Sequence, residues 1–400
     1  MQVESEKFNI ICLSNQLWNY PLWTNKKHVM YRAGKLGHKV LFVDPPINTG
    51  RVFWRQLKRG EWPLRRLLSK VFKDEDAWVF SPLNCLPLKS YLARHHSTKI
   101  NKLCQKFMDK NLRTVLWIYH VEIPGLENYL RNIDYDILIY DCVDNYAGFS
   151  RYNTPQKKEA INKVEKELAQ KADIVFATAP VLFEKLKKFN ENTYYTPNVG
   201  DYAKFSKLRE LQTAIPEKLS SIPTPRIGYS GALEDYKLDV QLISKLAASY
   251  PNYSFVILGG LGLKDREASP EALGFEPLPN LHFMGVVPYK IVETYFAGFD
   301  AYIIPYVLND YTVGGCFPVK FHDALAAGLP VIVTNLPAYK PFEKVAYISK
   351  NEVEFIENVK KAIEENSPEK VEERLKVAKE NSWDNKVGNM FRIIREYKKK

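Results

Sequence analysis

Apolar runs of strand length alternate with helix-like stretches along most of the chain. Phe8–Ser14, His38–Asp44, Arg113–His120, Tyr135–Asp141 and Ala172–Thr178 stay apolar on nearly every residue. Between them the polar residues return at helical spacing, from about Asn25 to Leu36 and from about Pro155 to Lys171, and Gly37 stops the first of these. A strand wetted on one face alternates; a strand apolar throughout is covered on both faces. Joined by helices, such strands predict a parallel sheet between two helical layers.

The rhythm breaks from Tyr202 to Pro225, a polar stretch with Pro216, Pro223 and Pro225 that reads as a linker. It then restarts with Arg226–Gly231, Tyr253–Gly260, Leu281–Gly285, Asp300–Tyr306, Leu329–Thr334 and Ala346–Lys350, followed by helices to the C-terminus. The fold class is therefore α/β, with two Rossmann-like doubly wound domains, residues 1–200 and 201–383. No internal repeat or low-complexity tract interrupts them. In open sheets of this kind ligands bind beyond the carboxyl ends of the strands, so functional residues are expected just after strands.

Composition narrows this only a little. The chain has 400 residues, more than one core usually serves, with 46% apolar and 26% charged residues, as in an ordinary globular protein. No apolar run reaches about 18 residues, the least that spans a bilayer, and the N-terminus does not read as a secretory signal. Cys12, Cys85, Cys104, Cys142 and Cys316 are scattered without metal-ligand spacing and read as reduced thiols of a cytosolic protein. The net charge of +11 points to an anionic partner.

One segment concentrates candidate chemistry. After the strand ending at Tyr306 come Gly314 and Gly315, then Pro318, Val319, Lys320 and Asp323, and Gly328 and Pro330 beyond. Pro318 suits the first helical position and Gly328 the residue just past the helix end. Glycines let backbone N–H groups approach a ligand, and a helix N-terminus favours an anion. Lys320 reaches the same anion from the first turn, and Asp323 shares its face three residues on. A cation with free N–H groups suits a diphosphate, and a carboxylate one turn deeper suits ribose hydroxyls. An ordinary surface Lys–Asp pair on an amphipathic helix is the competing reading.

The stretch PVKFHDALAAGLPVI resembles the P-x-K-x-x-E-x-x-A-x-G-x-P-V-I segment of GT-B glycosyltransferases, especially glycosyltransferase family 4 and its relatives. TPNVGDYAKF (Thr196–Phe205) is similar to their interdomain segment, IGYSGALEDYKLD (Ile227–Asp239) to the segment that opens the donor domain, and the region of Ser382, Trp383 and Asp384 to the one before the final helix. The resemblance covers Phe8 to about Tyr397, is strongest from Pro197 onward, and extends to the teichuronic-acid-assembly glycosyltransferases. The membrane-associated glucuronosyltransferase of xanthan assembly is a more distant likeness. It implies two domains facing across a cleft: the first takes the acceptor, the second the nucleotide-sugar, and the last helix, about 384–400, packs back on the first domain. It also implies transfer without a metal, and hence no cofactor. The chain departs from the pattern in two places. The family's first paired glutamate falls on Gly315 and the second on Asp323, and the glycine-rich loop after the first strand is replaced by Asn15–His28.

Further candidates follow from position. By the resemblance, Lys237, past Gly231, faces the diphosphate; otherwise it is a solvent-facing lysine at a helix start. Asp239 caps or orients that helix. Tyr306 contacts the nucleotide or is a buried strand-end aromatic, and Tyr289 stacks on a base or is a half-buried helix residue. In the first domain His120 ends a strand where retaining relatives carry a histidine, fit for proton work, sugar binding or a structural hydrogen bond. Asp141 and Asp144 follow the next strand. Inverting transfer needs a base at the acceptor hydroxyl, and Asp144, lying further past the strand, is favoured over Asp141; capping a turn is the alternative. Asp134 and Asp136 have metal-ligand spacing but read as a solvated strand end, so no metal site is expected.

From Arg51 to Lys73 the chain is basic and aromatic, with Arg55, Lys58, Arg59, Trp62, Arg65, Arg66 and Lys70 among its residues. A basic amphipathic segment of this kind reads as a membrane-surface element, each basic residue contributing roughly 1 kcal/mol against anionic headgroups. An exposed helix packing its apolar face on the core would have the same composition. The expectation is a glycosyltransferase at the cytoplasmic membrane face, moving a sugar from a nucleoside diphosphate, UDP favoured, to a lipid-linked saccharide in polysaccharide biosynthesis, with no nucleic-acid partner. A nonhydrolysing sugar-nucleotide epimerase, a non-catalytic nucleotide-sugar-binding protein and a nicotinamide-dependent oxidoreductase remain open, the last weakened by the lack of G-x-G-x-x-G after the first strand.

Overall fold

The computed structural model describes residues 6–20, 23–48, 70–84, 89–149, 151–209, 213–234, 236–260 and 269–398. They form two units. One comprises Met1–Ala147, Tyr152–Thr196 and Val387–Lys400, the other Gly148–Arg151 and Pro197–Lys386.

The strands of the first unit are β1 (Asn9–Leu13), β2 (Lys39–Val43), β3 (Ile47–Asn48), β4 (Lys70–Asp74), β5 (Ala77–Ser81), β6 (Leu83–Asn84), β7 (Thr114–Ile118), β8 (Ile137–Cys142), β9 (Ile174–Ala177) and β10 (Thr193–Tyr195). Eight of them make one sheet in the order β10-β9-β8-β7-β1-β2-β5-β4, parallel except for the edge pair β4–β5; β3 and β6 pair separately. All five residues of β1 and all six of β8 are buried, as their unbroken apolar runs predict. The strand order reverses between β1 and β7, so the connections leaving them diverge and a crevice opens at their carboxyl ends.

The core of this unit draws on both ends of the chain. Phe391, in the helix Trp383–Glu396, stacks on His38 at 3.9 Å and on Phe8 at 6.3 Å, and lies 6.2 Å from Trp117. His38 Nδ1 accepts the Phe8 N–H at 3.0 Å, and burial, with Lys7 and Arg395 nearby, lowers this imidazole to about 3. Each large apolar side chain withdrawn from water here contributes about 1.5–3 kcal/mol.

The second unit contains β11 (Arg226–Ser230), β12 (Ser254–Leu258), β13 (Leu281–Gly285), β14 (Ala301–Ile304), β15 (Val331–Thr334) and β16 (Tyr347–Ser349), all parallel, in the order β13-β12-β11-β14-β15-β16. Here the order reverses between β11 and β14. The helix Val319–Ala326 follows β14 and buries Phe321, Ala324, Leu325 and Ala326 completely.

Every strand expected from the apolar runs is present. The short edge strands β3, β6 and β10 and the antiparallel pair β4–β5 were not expected. Of the basic stretch, only Lys70–Lys73 lie among the described residues, and they belong to edge strand β4, where Lys70 is half-buried opposite Ser81. Arg55, Lys58, Arg59, Trp62, Arg65 and Arg66 lie outside the described residues. The linker is more ordered than its composition suggests: Tyr202–Phe205 and Glu217–Ser220 are short helices.

Candidate functional site

In the second unit the site grows from two loops at the reversal point. The segment after β11 meets the segment after β14: Asp239 N–H donates to Pro305 O at 2.8 Å and Val307 N–H to Lys237 O at 2.9 Å, around an antiparallel bridge between Leu238 and Tyr306. This pairing sets Lys237 beside Tyr306, its Nζ 5.6 Å from the ring centroid. Asn309 pins the loop further. Its side chain caps the turn Asp310–Val313 and donates to Tyr236 O at 2.5 Å. Asp239 caps the helix Val240–Ser249 through Leu242 N–H at 2.9 Å, and so serves the scaffold.

Lys320 enters from the helix Val319–Ala326. Its Nζ lies 4.2 Å from the Tyr229 ring centroid and 5.5 Å from that of Tyr306. It also lies directly over Gly231, where a Cβ would come 2.2 Å from the amine. Gly231 has φ +141°, which side-chain-bearing residues rarely adopt, and its carbonyl oxygen would be 2.1 Å from a Cβ at Gly259. The two glycines thus permit a close approach of backbone to backbone, and Gly231 a close approach of Lys320.

Two half-buried ammonium groups therefore face one small volume at the carboxyl ends of β11 and β14. Among the described residues no carboxylate lies within ion-pair distance of either. Burial, and then the Lys237 charge, hold the Lys320 amine well below the ordinary lysine range. At Lys237 burial acts in the same sense but is outweighed by the acidic groups Cys316, Tyr229, Glu234 and Tyr236, so that amine titrates above the usual range. Like charges held together in a partly desolvated pocket are stabilised by an anion entering it.

Four expectations for this segment need correction. Pro318 is the residue before the helix, with extended backbone (φ −69°, ψ 128°), and Val319 is the first helical residue. Gly314 is an ordinary helix end at φ −75°, and its N–H is spent on Asp310 O at 3.1 Å; Gly315, at φ +152°, is the position that requires glycine. Asp323 does not hold its carboxylate beside Lys320. It is 7% exposed and accepts the Asp201 N–H at 2.8 Å. Tyr289 is no open stacking surface: its hydroxyl donates to Asp201 Oδ2 at 2.8 Å, and Lys204 Nζ lies 5.0 Å from its ring.

In the first unit the candidates gather at the carboxyl ends of β1, β7 and β8. His120 is buried, with Nδ1 accepting the Glu122 N–H at 3.0 Å and Nε2 3.0 Å from the Glu122 carboxylate. Both ring nitrogens therefore lie within hydrogen-bond distance of Glu122. Asp141 is 1% exposed and accepts from Trp117 Nε1 at 3.2 Å. Asp144 is half-exposed and stands on the loop after β8. Asp136 accepts the Thr114 N–H at 2.7 Å, which makes it a strand-end link. Sequence reasoning missed Lys26, in the helix Asn25–Lys35, whose side chain is buried against Tyr119 near both aspartates.

Known proteins fit this geometry. Residues 224–365, which span both loops and the Lys320 helix, match the family described as Glycosyl transferases group 1. The chain carries a glycosyltransferase domain. Over 299 residues it is 27% identical to TuaH of Bacillus subtilis, a glycosyltransferase named for teichuronic acid biosynthesis, covering 71% of this chain and 72% of that one. A sucrose-phosphate synthase from Thermosynechococcus elongatus superposes with a TM-score of 0.68 at 14% identity, over 98% of this chain and 99% of that one. Anabaena HepE, solved in complex with UDP and glucose, gives 0.67 at 14% identity, over 97% and 100%. The fold of this glycosyltransferase is GT-B.

Proposed function

We propose that the enzyme moves a sugar from a nucleoside diphosphate, a UDP-sugar, to a hydroxyl of a lipid-linked saccharide in the assembly of a cell-surface polysaccharide. The observation that carries this is the pair Lys237 and Lys320, two ammonium groups at the end of β11 and β14 with no carboxylate within ion-pair distance among the described residues. They neutralise the diphosphate as it leaves the anomeric carbon, the task a metal performs elsewhere, so transfer proceeds without one. The names of TuaH and of the HepE complex support the polysaccharide context and the UDP donor. Tyr306, the N–H groups of Gly315 and Val319, and Gly231 line the diphosphate site. The first unit takes the acceptor, and Asp144 receives the hydroxyl proton. The basic stretch Arg51–Lys73 supports attachment to the inner face of the membrane, where a lipid-linked acceptor is found.

A thermal-shift screen against UDP and a panel of nucleotide sugars tests the donor. Binding to the folded state raises the melting temperature in proportion to ligand excess over Kd. UDP and one of its sugars should raise it, and Lys320→Ala should lose both that rise and turnover while staying folded. A rise in Lys320→Ala equal to that of the parent would remove the site from this reading.

A further inference from the structure

One helix of the first unit carries charge of a single sign on its outer face. Lys89–Phe107 spans 19 residues without an aspartate or glutamate. Ala93, His96, Ser97 and Ile100 are buried, and His96 is fixed there by Leu83 O and the Tyr129 hydroxyl, each at 2.9 Å. Arg94, His95, Thr98, Lys102, Gln105 and Lys106 are exposed. At helical spacing those six positions fall within an arc of about 120°, on the side away from the buried four.

The basic face continues onto the edge of the sheet. Phe107, the last residue of the helix, stacks on Trp78 of β5 at 3.8 Å, and Lys106 Nζ lies 5.2 Å from the Phe107 ring. Lys73 of edge strand β4 pairs opposite Trp78, so the two side chains share one face of the sheet, and Lys73 is exposed. Among the described residues no carboxylate lies within ion-pair distance of Lys73, Arg94, Lys102 or Lys106. Other helices of this unit have their cations answered. The acids of the β4–β5 turn, Asp74, Glu75 and Asp76, pair with Lys27 and Lys35 of the helix Asn25–Lys35. In Pro155–Lys171, Lys171 pairs with Glu127, and Glu159, Glu165 and Glu167 lie within the helix itself. Like charges left together repel, and an anionic surface relieves that repulsion.

We infer that the outer face of Lys89–Phe107, with Lys73 beside it, is a docking surface for anionic lipid headgroups on which the first unit lies against a bilayer. This rests on the proposed membrane attachment and gives it a built surface; β4 begins at Lys70, so the basic stretch Arg51–Lys73 runs into it along the chain. Three features favour a bilayer. The charges are spread along a helix about 28 Å long, which suits a continuous charged plane more than a single phosphate. Three of the four named cations are lysines, point charges suited to mobile headgroups, whereas nucleic-acid recognition draws on arginine forks and exposed aromatic rings, and the six exposed helix positions hold no Phe, Tyr or Trp. The apolar side of the helix is buried, so nothing on this face can enter the acyl layer. Attachment is therefore electrostatic, reversible and weakened by salt.

Cosedimentation of the full chain with vesicles of phosphatidylcholine, alone and mixed with phosphatidylglycerol, tests this. The parent should bind the mixed vesicles only and leave them as salt is raised. The triple variant Arg94→Gln, Lys102→Gln, Lys106→Gln should melt where the parent does and bind on the order of a hundredfold more weakly, at about fivefold per charge removed. Equal binding by this variant and the parent overturns the inference, as does parental binding that ignores phosphatidylglycerol or salt, or tighter binding to a mixed-sequence RNA than to the vesicles. A second variant, Arg65→Glu with Arg66→Glu, separates this surface from the reading it rests on. Vesicle binding lost there but kept in the triple variant removes the helix face and leaves membrane attachment standing. A parent that binds neither vesicle removes both.

Discussion

Lys320 Nζ and the α-carbon of Gly231 are in contact, so closely that a methyl group on that carbon would lie 2.2 Å from the amine. Gly231→Ala therefore has two effects: it strains a backbone at φ +141° and pushes the ammonium group out of its place. The amine is the far end of a flexible side chain, so it can move and the fold should survive, at a cost of about 1–3 kcal/mol. UDP affinity should fall roughly tenfold or more, which is about 1.4 kcal/mol of binding. Calorimetric titration with UDP checks this, and an unchanged Kd would contradict the contact.

Proton uptake should accompany donor binding. The Lys320 amine is held well below the usual lysine range by burial and by Lys237, and a diphosphate arriving beside it favours the charged form. UDP binding should therefore weaken as pH rises through the lowered Lys320 value, at a pH where free lysine is still fully charged. Removing the like charge in Lys237→Met should move this loss to higher pH. Calorimetry in two buffers of different ionisation enthalpy measures the proton uptake directly.

His322 offers a stability test away from the chemistry. The ring is fully buried among Phe317, Phe321 and Phe342, at centroid distances of 5.2, 5.1 and 5.0 Å, and neither ring nitrogen has a hydrogen-bond partner among the described residues. Burial lowers it to about 3, so the unfolded chain binds the proton first and stability falls as pH drops below about 6.5. Between pH 7.5 and 5 this one group should cost about 2 kcal/mol. His322→Phe should remove that loss and, by eliminating two orphaned polar atoms, should be no less stable at neutral pH. Urea unfolding at the two pH values decides it.

Turnover should be indifferent to chelation. With Lys237 and Lys320 supplying the neutralising charge, EDTA should leave the rate within about twofold, whereas a metal-dependent transfer would lose several kcal/mol of transition-state stabilisation. Initial rates with and without chelator, followed by addition of Mg²⁺, separate the two.

The parallel strands were legible because burial on both faces leaves an unbroken apolar run, as in NIICL of β1 and SFVIL of β12. The pair β4–β5 was not, because KVFKD carries the charges of an exposed edge, and nothing in that composition separates an edge strand from a basic helix. Lys320 and Gly231 were both singled out from sequence, but their contact was not, since no local pattern reports on residues 89 positions apart. Asp323 shows the reverse failure. Helical spacing put it beside Lys320, but a backbone N–H of Asp201, distant in sequence, takes its carboxylate. Lys26 was hidden by its setting: a lysine in the first turn of a helix is ordinarily solvated, and only its place directly after β1, at the reversal of the sheet, hinted otherwise.

The stacking of Phe391 on His38 and Phe8 bears on how the chain is born. Domains usually fold in the order in which they leave the ribosome. Here the N-terminal half emerges first yet lacks one wall of its interior until the closing helix has been translated, while residues 197–386 already hold all but four of the residues of their own unit. Synthesis should thus deliver a finished C-terminal half beside an unfinished N-terminal one, and a nonsense codon shortly before Phe391 would strand the nascent product in that state.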